Sequence, residues 1–180
     1  MVLTRSFYNR PTIEVARDLL GKILSHREKT GETSGRIIEV EAYLGLGDLA
    51  AHSAKGLTPR TRPIFGPPGH AYVYFIYGMH ECLNVVAEPD GIPGCVLIRA
   101  LEPLTGLHLM RARRGRPDLT SGPAKLTQAL AITRAHNHAD LTRGPLCILD
   151  AGTVGRIEVT RRIGFTQSAD LPLRFLLHQF

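Results

Sequence analysis

HAYVYFIYGMHECLNVV, residues 70–86, holds two runs of strand-forming residues on either side of Tyr77-Gly78-Met79. Aromatic and β-branched residues favour strands, and a glycine between two such runs favours a tight turn. We therefore predict a β-hairpin in which residues 71–78 and 81–87 pair across Gly78. Three of the five tyrosines lie between positions 72 and 77, and Tyr77 stands at the edge of the turn, where its ring would be exposed.

Beyond the hairpin, further strands alternate with a few helices, and the sequence contains no internal repeat. Apolar spacing and the positions of Gly and Pro predict helices over 12–20, 104–115 and 121–133. The same signals predict strands over 35–45 and 94–103 and two short strands between 156 and 177. The helices are too few for a βαβ repeat, so the sequence predicts an α+β fold. We expect a single compact domain over residues 1–180, with a curved antiparallel sheet, a few flanking helices and a protruding β-hairpin.

Composition narrows the class of protein. A chain of 180 residues with 43% hydrophobic residues can bury a sizeable core as one domain. No stretch approaches the roughly 20 apolar residues needed to span a bilayer, and the N-terminus lacks the apolar region of a signal peptide. The three cysteines, Cys82, Cys95 and Cys147, show no C-x-x-C spacing, which is typical of reduced thiols. We expect a cytoplasmic protein, nucleoid-associated if bacterial, that does not bind membranes.

The charge distribution is uneven. The net charge is +6, and residues 49–80 contain no Asp or Glu but include Lys55, Arg60, Arg62 and four prolines. A second basic run, RARRGRP, covers residues 111–117. Each run fits either a solvated surface or contacts with a polyanionic backbone.

The strand predicted over 35–45 carries two carboxylates on one face. Glu39, Glu41 and Tyr43 alternate with the apolar residues, which are Ile38, Val40, Ala42 and Leu44. Two interpretations stay open. The polar face is either the solvated side of a half-exposed strand, or a site in which one carboxylate activates water and the tyrosine ring forms a wall.

Metal and nucleotide motifs are weak. His136 and His138 have no Cys or carboxylate cluster beside them, a pattern more typical of surface histidines. The sequence contains no phosphate-binding loop and no G-x-S-x-G elbow. We expect chemistry done by a carboxylate and water, with no metal and no other cofactor.

Several segments together resemble one known family. They run in order along the chain: GRIIEVEAYLG (35–45), AAHS (50–53), TPRTR (58–62), YVYFIYGMHECLN (72–84), VLIRALEP (96–103), SGPAKLTQALAI (121–132) and PLRF (172–175). This series is similar to the alkyladenine DNA glycosylases, also called 3-methyladenine or methylpurine DNA glycosylases. The chain departs from the family pattern in a longer loop at 90–94 and after Leu130.

The resemblance implies a function. It implies a monofunctional DNA glycosylase of base excision repair, acting as a monomer on double-stranded DNA that contains damaged purines. Such an enzyme flips an alkylated or deaminated purine, of the 3-methyladenine, 7-methylguanine and hypoxanthine class, out of the duplex. It then hydrolyses the N-glycosidic bond with a Glu-activated water and leaves an abasic site.

The resemblance also implies roles for individual residues. Glu41 would activate the water, with help from Arg99 and the backbone carbonyl of Phe165. Tyr43, His52, Tyr74 and Asn84 would form the base pocket. Tyr77 and Met79 would intercalate from the hairpin tip, and the DNA backbone would be contacted by Thr58, Arg60 and Lys125. Tyr72 is expected in the core and Glu39 in an auxiliary position.

Two other classes of protein fit the same residues. One is a non-catalytic module that uses the tyrosines as stacking platforms for DNA bases. It would bind phosphates with the basic loop, the segment before the hairpin that contains Lys55, Arg60 and Arg62. The other is a hydrolase of free nucleosides, which would share the carboxylate but need no wedge at the hairpin tip.

Overall fold

The computed structural model describes residues 1–152, 155–164 and 166–178. Within these ranges, eight strands form one antiparallel sheet: β1 (Ile23–Glu28), β2 (Gly31–Tyr43), β3 (Ala71–Ile76), β4 (His80–Val86), β5 (Cys95–Thr105), β6 (Leu146–Leu149), β7 (Arg156–Thr160) and β8 (Arg174–His178). The strand order is β3-β4-β5-β2-β1-β6, and β8 pairs with both β2 and β7. The sheet is curled, and the predicted α+β fold is confirmed.

Short α-helices flank the sheet: α1 (Arg5–Tyr8), α2 (Thr12–Leu19), α3 (Leu107–Arg114) and α4 (Pro123–Ala129). As predicted, α2 begins at Thr12 and Pro123 lies in the first turn of α4. Leu126 and Ala129 of α4 are fully buried, since this helix packs on β4 and β5. The prediction that α3 begins at 104 is wrong, because residues 104 and 105 still belong to β5.

The predicted hairpin is confirmed. β3 and β4 pair from Ala71 with Val85 to Ile76 with His80, and the Met79 amide donates to the Ile76 carbonyl at 3.3 Å across the turn. Tyr77 (φ 54°) and Gly78 (φ 67°) both adopt positive φ, as in a type I′ turn. This turn matches the twist of the two strands, but a tyrosine in it is strained.

β1 and β6 were not predicted from the sequence. β1 contains Ser25 and His26, which break the apolar pattern that marks a buried strand. Both residues are nevertheless buried, because β1 lies between β2 and β6. The His26 ring bonds to the Leu130 carbonyl through Nδ1 at 2.7 Å, which satisfies the buried imidazole.

β2 is the central strand, and its pairing with β5 shifts register at three places: one between Ser34 and Gly35, and two bulges close to Glu41. The register passes from Ile37–Leu101 to Glu39–Ala100, which leaves Ile38 as an extra residue. It then passes to Val40–Ile98, which leaves Arg99 as an extra residue on β5. The first bulge corrects one prediction: Ile37, rather than Ile38, packs in the core with Val40 and Ala42.

The side chains on the two faces of the sheet belong to two separate apolar clusters. Alternate residues of β2 to β5 enter the main core together with the flanking helices. The residues between them build a second apolar cluster on the other face: Tyr43, Tyr72, Cys82, Val86, Cys95 and Leu97, with Ala51 and Ile64 from the loop between β2 and β3. Because the side-chain period of a strand is two, one sheet supports both a core and a candidate site.

Two glycines that bracket α3 give a test of this packing. Gly106 and Gly115 both have positive φ, of 75° and 61°. A Cβ on Gly106 would lie 2.3 Å from the Glu32 carbonyl oxygen, whereas a Cβ on Gly115 would meet nothing within 4 Å. We expect Gly106→Ala to lower the free energy of unfolding by about 3 kcal/mol or more, measured by urea denaturation.

Gly115→Ala is the matched control. It introduces the same backbone strain without the clash, so it should cost about 1 kcal/mol. Equal losses in the two variants would contradict the close approach of β2 to the start of α3.

Candidate active site

Glu41 lies at the centre of the second face and is completely buried. Its Oε1 accepts a hydrogen bond from the Ile163 amide at 2.8 Å. Its Oε2 accepts bonds from the Tyr43 hydroxyl at 2.7 Å and from Arg99 Nη1 at 3.2 Å. The interpretation of this face as the solvated side of a half-exposed strand is therefore wrong for Glu41 and for Tyr43.

Arg99 links the two carboxylates of β2. Its Nε donates to Glu39 Oε1 at 2.9 Å, and Arg174 Nε donates to the same oxygen at 2.7 Å. Burial alone would lower the pKa of Arg99, but the charges of Glu41 and Glu39 raise it, so the guanidinium stays charged. The bulge in β5 gives Arg99 its place beside both carboxylates.

The Tyr43 hydroxyl is a fixed donor. Burial raises the pKa of Tyr43, and the neighbouring Glu41 carboxylate raises it further. The phenol therefore stays protonated and donates to Glu41 Oε2.

A buried ion pair that the sequence analysis missed lies behind this network. Arg162 Nη1 and Nη2 donate to the two carboxylate oxygens of Asp48 at 2.6 and 2.7 Å, and both side chains are almost fully buried. Arg162 also donates to the Ala42 carbonyl at 3.0 Å, and its Cζ lies 4.8 Å from the centre of the Tyr43 ring. The pair thus anchors the chain next to Ile163, whose amide binds Glu41.

No sequence signal pointed to this pair, since its members are 114 positions apart. Burial would raise the pKa of Asp48, but the bonds from Arg162 and from the Leu44 amide outweigh it and lower the pKa. The carbonyl of Phe165, expected to hold the water, lies outside the described residues.

An aromatic pocket opens beside Glu41. It is lined by Tyr43, Ala50, His52, Ile64, Tyr72, Tyr74, Asn84 and Cys95. The His52 and Tyr74 ring centres are 4.6 Å apart, and those of Tyr72 and Tyr74 are 5.4 Å apart. A cleft of about 270 Å³, also bordered by Tyr43 and Tyr74, extends from the pocket to Arg99, Ile163 and the hairpin tip at Tyr77.

Tyr72 has a larger part in this pocket than expected. Its side chain is buried, as predicted, but its hydroxyl also lies 3.0 Å from His52 Nδ1 and fixes that ring. Burial lowers the pKa of His52 to about 4, with a further contribution from the positive charge of Arg60. The His52 imidazole is therefore neutral at pH 7.

Asn84 lines the pocket and also bonds within its own hairpin. Its Nδ2 donates to the carbonyl of Tyr72, its cross-strand partner, at 3.2 Å. Its Oδ1 accepts a weak bond from the Cys95 thiol at 3.9 Å. The amide therefore presents a fixed edge to the pocket.

The hairpin tip is strongly exposed. Tyr77 and Met79 have exposed fractions of 83% and 69%, although both are large apolar side chains. Tyr77 borders the cleft that leads to Arg99. A strained backbone that presents an exposed ring next to a cleft is typical of a functional segment.

The three residues that are expected to contact the DNA backbone lie in different environments. Thr58 is held in its loop by a bond from its amide to Thr61 Oγ1 at 2.8 Å. Lys125 pairs with Asp118 at 2.5 Å on the surface. Arg60 instead lies near the pocket, with its Cζ 5.7 Å from the centre of the Tyr74 ring. These three roles stay predictions.

The parts of the chain that the structure describes contain neither a metal-binding cluster nor a membrane-spanning helix. No group of three or more His, Cys, Asp or Glu side chains there could hold a metal ion. His136 bonds instead to the Thr133 backbone through Nδ1. No described helix is long and apolar enough to cross a membrane.

The chain is similar in sequence to known proteins over nearly its whole length. The model of the methylpurine-DNA glycosylase family matches residues 6–179. Three relatives all carry the name "Putative 3-methyladenine DNA glycosylase". The one from Methanoculleus marisnigri is 54% identical over 98% of this chain and 95% of its own length. Those from Methanocella arvoryzae and Koribacter versatilis are 49% and 51% identical over 96% and 97% of this chain, and each is covered over 89% of its length. The chain therefore belongs to the methylpurine-DNA glycosylase family.

Proposed function

We propose that this glycosylase rotates alkylated or deaminated purines out of duplex DNA and hydrolyses the N-glycosidic bond with a water that Glu41 activates. The alkylated purines are 3-methyladenine and 7-methylguanine, and the deaminated purine is hypoxanthine. The observation that carries the proposal is a buried carboxylate that is held by three donors, one of which, Tyr43, lines an aromatic pocket. An enzyme that acts on a base must first take that base out of the stack.

The hydrogen bonds that the described residues make to Glu41 leave one acceptor position of its carboxylate without a donor. A carboxylate has about four acceptor positions, and the three donors occupy one on Oε1 and two on Oε2. The remaining position on Oε1 can accept a proton from water. That water would attack C1′ of the deoxyribose as the bond to the base breaks.

Arg99 and Tyr43 supply hydrogen-bond donors to the buried Glu41 carboxylate. Burial of a carboxylate without donors is very costly. The bond from the charged Arg99 guanidinium and the bond from the protonated Tyr43 phenol satisfy Oε2. In this proposal, Arg99 is a positioning residue for Glu41, and its free N–H groups face the water or the adjacent phosphate.

The pocket provides stacking walls for the extruded base. Tyr43 would form one wall and His52 and Tyr74 the other, at about 1–3 kcal/mol per stacked ring. Asn84 would disfavour bases that carry a 2-amino group, because its Nδ2 already bonds to the Tyr72 carbonyl and its rigid edge meets that group. 7-Methylguanine carries the same group as normal guanine, but its positive charge makes it a much better leaving group.

The reaction would stop at an abasic site. In the described chain, no lysine lines the pocket or the cleft, so no amine is placed to attack the sugar and cut the strand. An alkylated purine already carries a positive charge and leaves readily, so positioning of the water is the main task. All the proposed site residues come from one chain, so we propose that the enzyme acts as a monomer.

Tyr77 would fill the space left by the extruded nucleotide, with Met79 beside it. Unstacking costs a few kcal/mol per base step, and an inserted ring recovers part of that cost. The 83% exposure of Tyr77 favours this reading over a hydrolase of free nucleosides, which would have no use for an exposed ring at the hairpin tip.

Glu41→Gln should lower the single-turnover rate of base excision by about 10²–10⁴-fold, because it keeps size and shape but removes the base that activates water. The measurement is release of hypoxanthine and of 7-methylguanine from duplex oligonucleotides. Affinity for the same DNA should be retained, because the stacking rings and the basic loop are unchanged.

Glu39→Gln is the matched control. Glu39 lies on the same face of β2, but its Oε1 accepts hydrogen bonds from both Arg99 and Arg174, and it has no proposed role in activating water. The substitution should cost far less activity. A dead Glu39 variant beside a fully active Glu41 variant would assign the wrong carboxylate. A wild type that binds lesion DNA but releases no base would favour the non-catalytic module.

Tyr77→Ser should slow excision from duplex DNA much more than from unstructured single strands. Only the duplex leaves a stacked gap for the ring to fill. The comparison is of single-turnover rates on the same lesion in both contexts. Equal losses would place Tyr77 in the base pocket or in the folding of the hairpin instead.

Salt should weaken duplex binding in proportion to the number of phosphates contacted. Lys55 and Arg62 are exposed in the acid-free loop, whereas Arg99 and Arg113 are paired with carboxylates. Replacing both Lys55 and Arg62 with Gln should reduce the slope of log K against log salt by about 1.8, from about 0.9 for each phosphate contact. Lys29→Gln, in the β1–β2 turn, should leave the slope unchanged. An affinity insensitive to salt between about 50 and 200 mM would rule out this footprint.

A further inference from the structure

Arg60 is exposed, but its guanidinium lies close to the aromatic rings of the base pocket. Its Cζ is 5.7 Å from the centre of the Tyr74 ring, and it partly offsets the rise that burial causes in the pKa of Tyr72. Both of those rings line the pocket, whereas Arg60 does not. The guanidinium therefore lies next to the aromatic wall without lining the pocket itself.

The opposite wall has a guanidinium too, but that charge is compensated. Arg162 lies 4.8 Å from the centre of the Tyr43 ring and forms two short bonds to the Asp48 carboxylate. Among the described residues, no carboxylate lies within ion-pair distance of Arg60. The acid-free stretch 49–80 in which Arg60 lies explains this lack of a partner.

A positive charge next to an aromatic wall acts on any base that stacks against that wall. It is attracted to the negative face of the ring and repels a cation bound in the pocket. His52 already reports this effect: burial, and after it Arg60, lowers the pKa of that imidazole to about 4. A cationic base in the same pocket experiences the same repulsion, whereas a neutral base does not.

We propose that Arg60 makes the pocket discriminate between damaged bases by formal charge, disfavouring cationic N-alkylated purines relative to neutral deaminated ones. This inference rests on the proposed function of the pocket. It changes the role of Arg60 from a phosphate contact to a determinant of specificity. Cationic purines tolerate the penalty, because their glycosidic bond is already weakened by the charge.

The test compares two lesions in one sequence context, neutral hypoxanthine and cationic 7-methylguanine. Single-turnover excision rates are measured for the wild type, Arg60→Gln and Arg60→Lys. Arg60→Gln should raise the ratio of 7-methylguanine to hypoxanthine excision by about fivefold, because one charge at this distance is removed from a partly solvated site. Arg60→Lys keeps the charge and should keep the ratio near that of the wild type.

Arg62→Gln is the matched control, since it removes an equal charge from the same loop. Arg62 is exposed and, among the described residues, is neither part of the pocket lining nor stacked on a pocket ring. The substitution should change excision of both lesions by the same factor, through weaker DNA binding. Thermal unfolding of each variant verifies that the exposed substitutions leave the fold intact.

The outcomes separate this inference from the proposed function. A wild type that excises both lesions, with an unchanged ratio in Arg60→Gln, would overturn the role of Arg60 alone. An equal rise in the ratio for Arg62→Gln would overturn it as well, because a diffuse field would then explain the effect. A wild type that releases neither base would overturn the proposed function and this inference together.

Discussion

The burial of the Glu41 carboxylate is the constraint on which the rest of the structure depends. A charge without solvent contact is very costly unless donors surround it, so the fold must bring donors to one point. They come from three separate parts of the chain: Tyr43 from the same strand, Arg99 from β5, and the Ile163 amide from the segment after β7. Long-range packing is therefore needed before this buried carboxylate has its three donors.

Much of this arrangement could be predicted from the sequence, because its signals are local. The hairpin follows from strand formers around Gly78, and the shared face of Glu39, Glu41 and Tyr43 follows from the period of a strand. The family resemblance then pointed to Glu41 among the two carboxylates, which periodicity alone could not do. Burial of Glu41 and Tyr43 agrees with that choice.

The rest could not be predicted, because it depends on partners far apart in sequence. Ser25 and His26 look polar, yet strands on both sides bury them. Arg99 reaches Glu41 through a bulge, and bulges leave no mark in a pattern of alternating residues. Asp48 and Arg162 form a buried pair across 114 positions, and neither residue differs locally from a surface charge.

The buried thiols have a chemical consequence for the survival of the protein itself. Cys82 and Cys95 border the cleft and the pocket, and Cys147 is buried in β6. Burial raises the pKa of all three, that of Cys95 to about 12, so that these thiols stay protonated at pH 7. Electrophiles that methylate DNA also attack thiolates, which are the reactive form of cysteine. Burial in this fold thus keeps the three cysteines in the form that is less reactive towards such reagents.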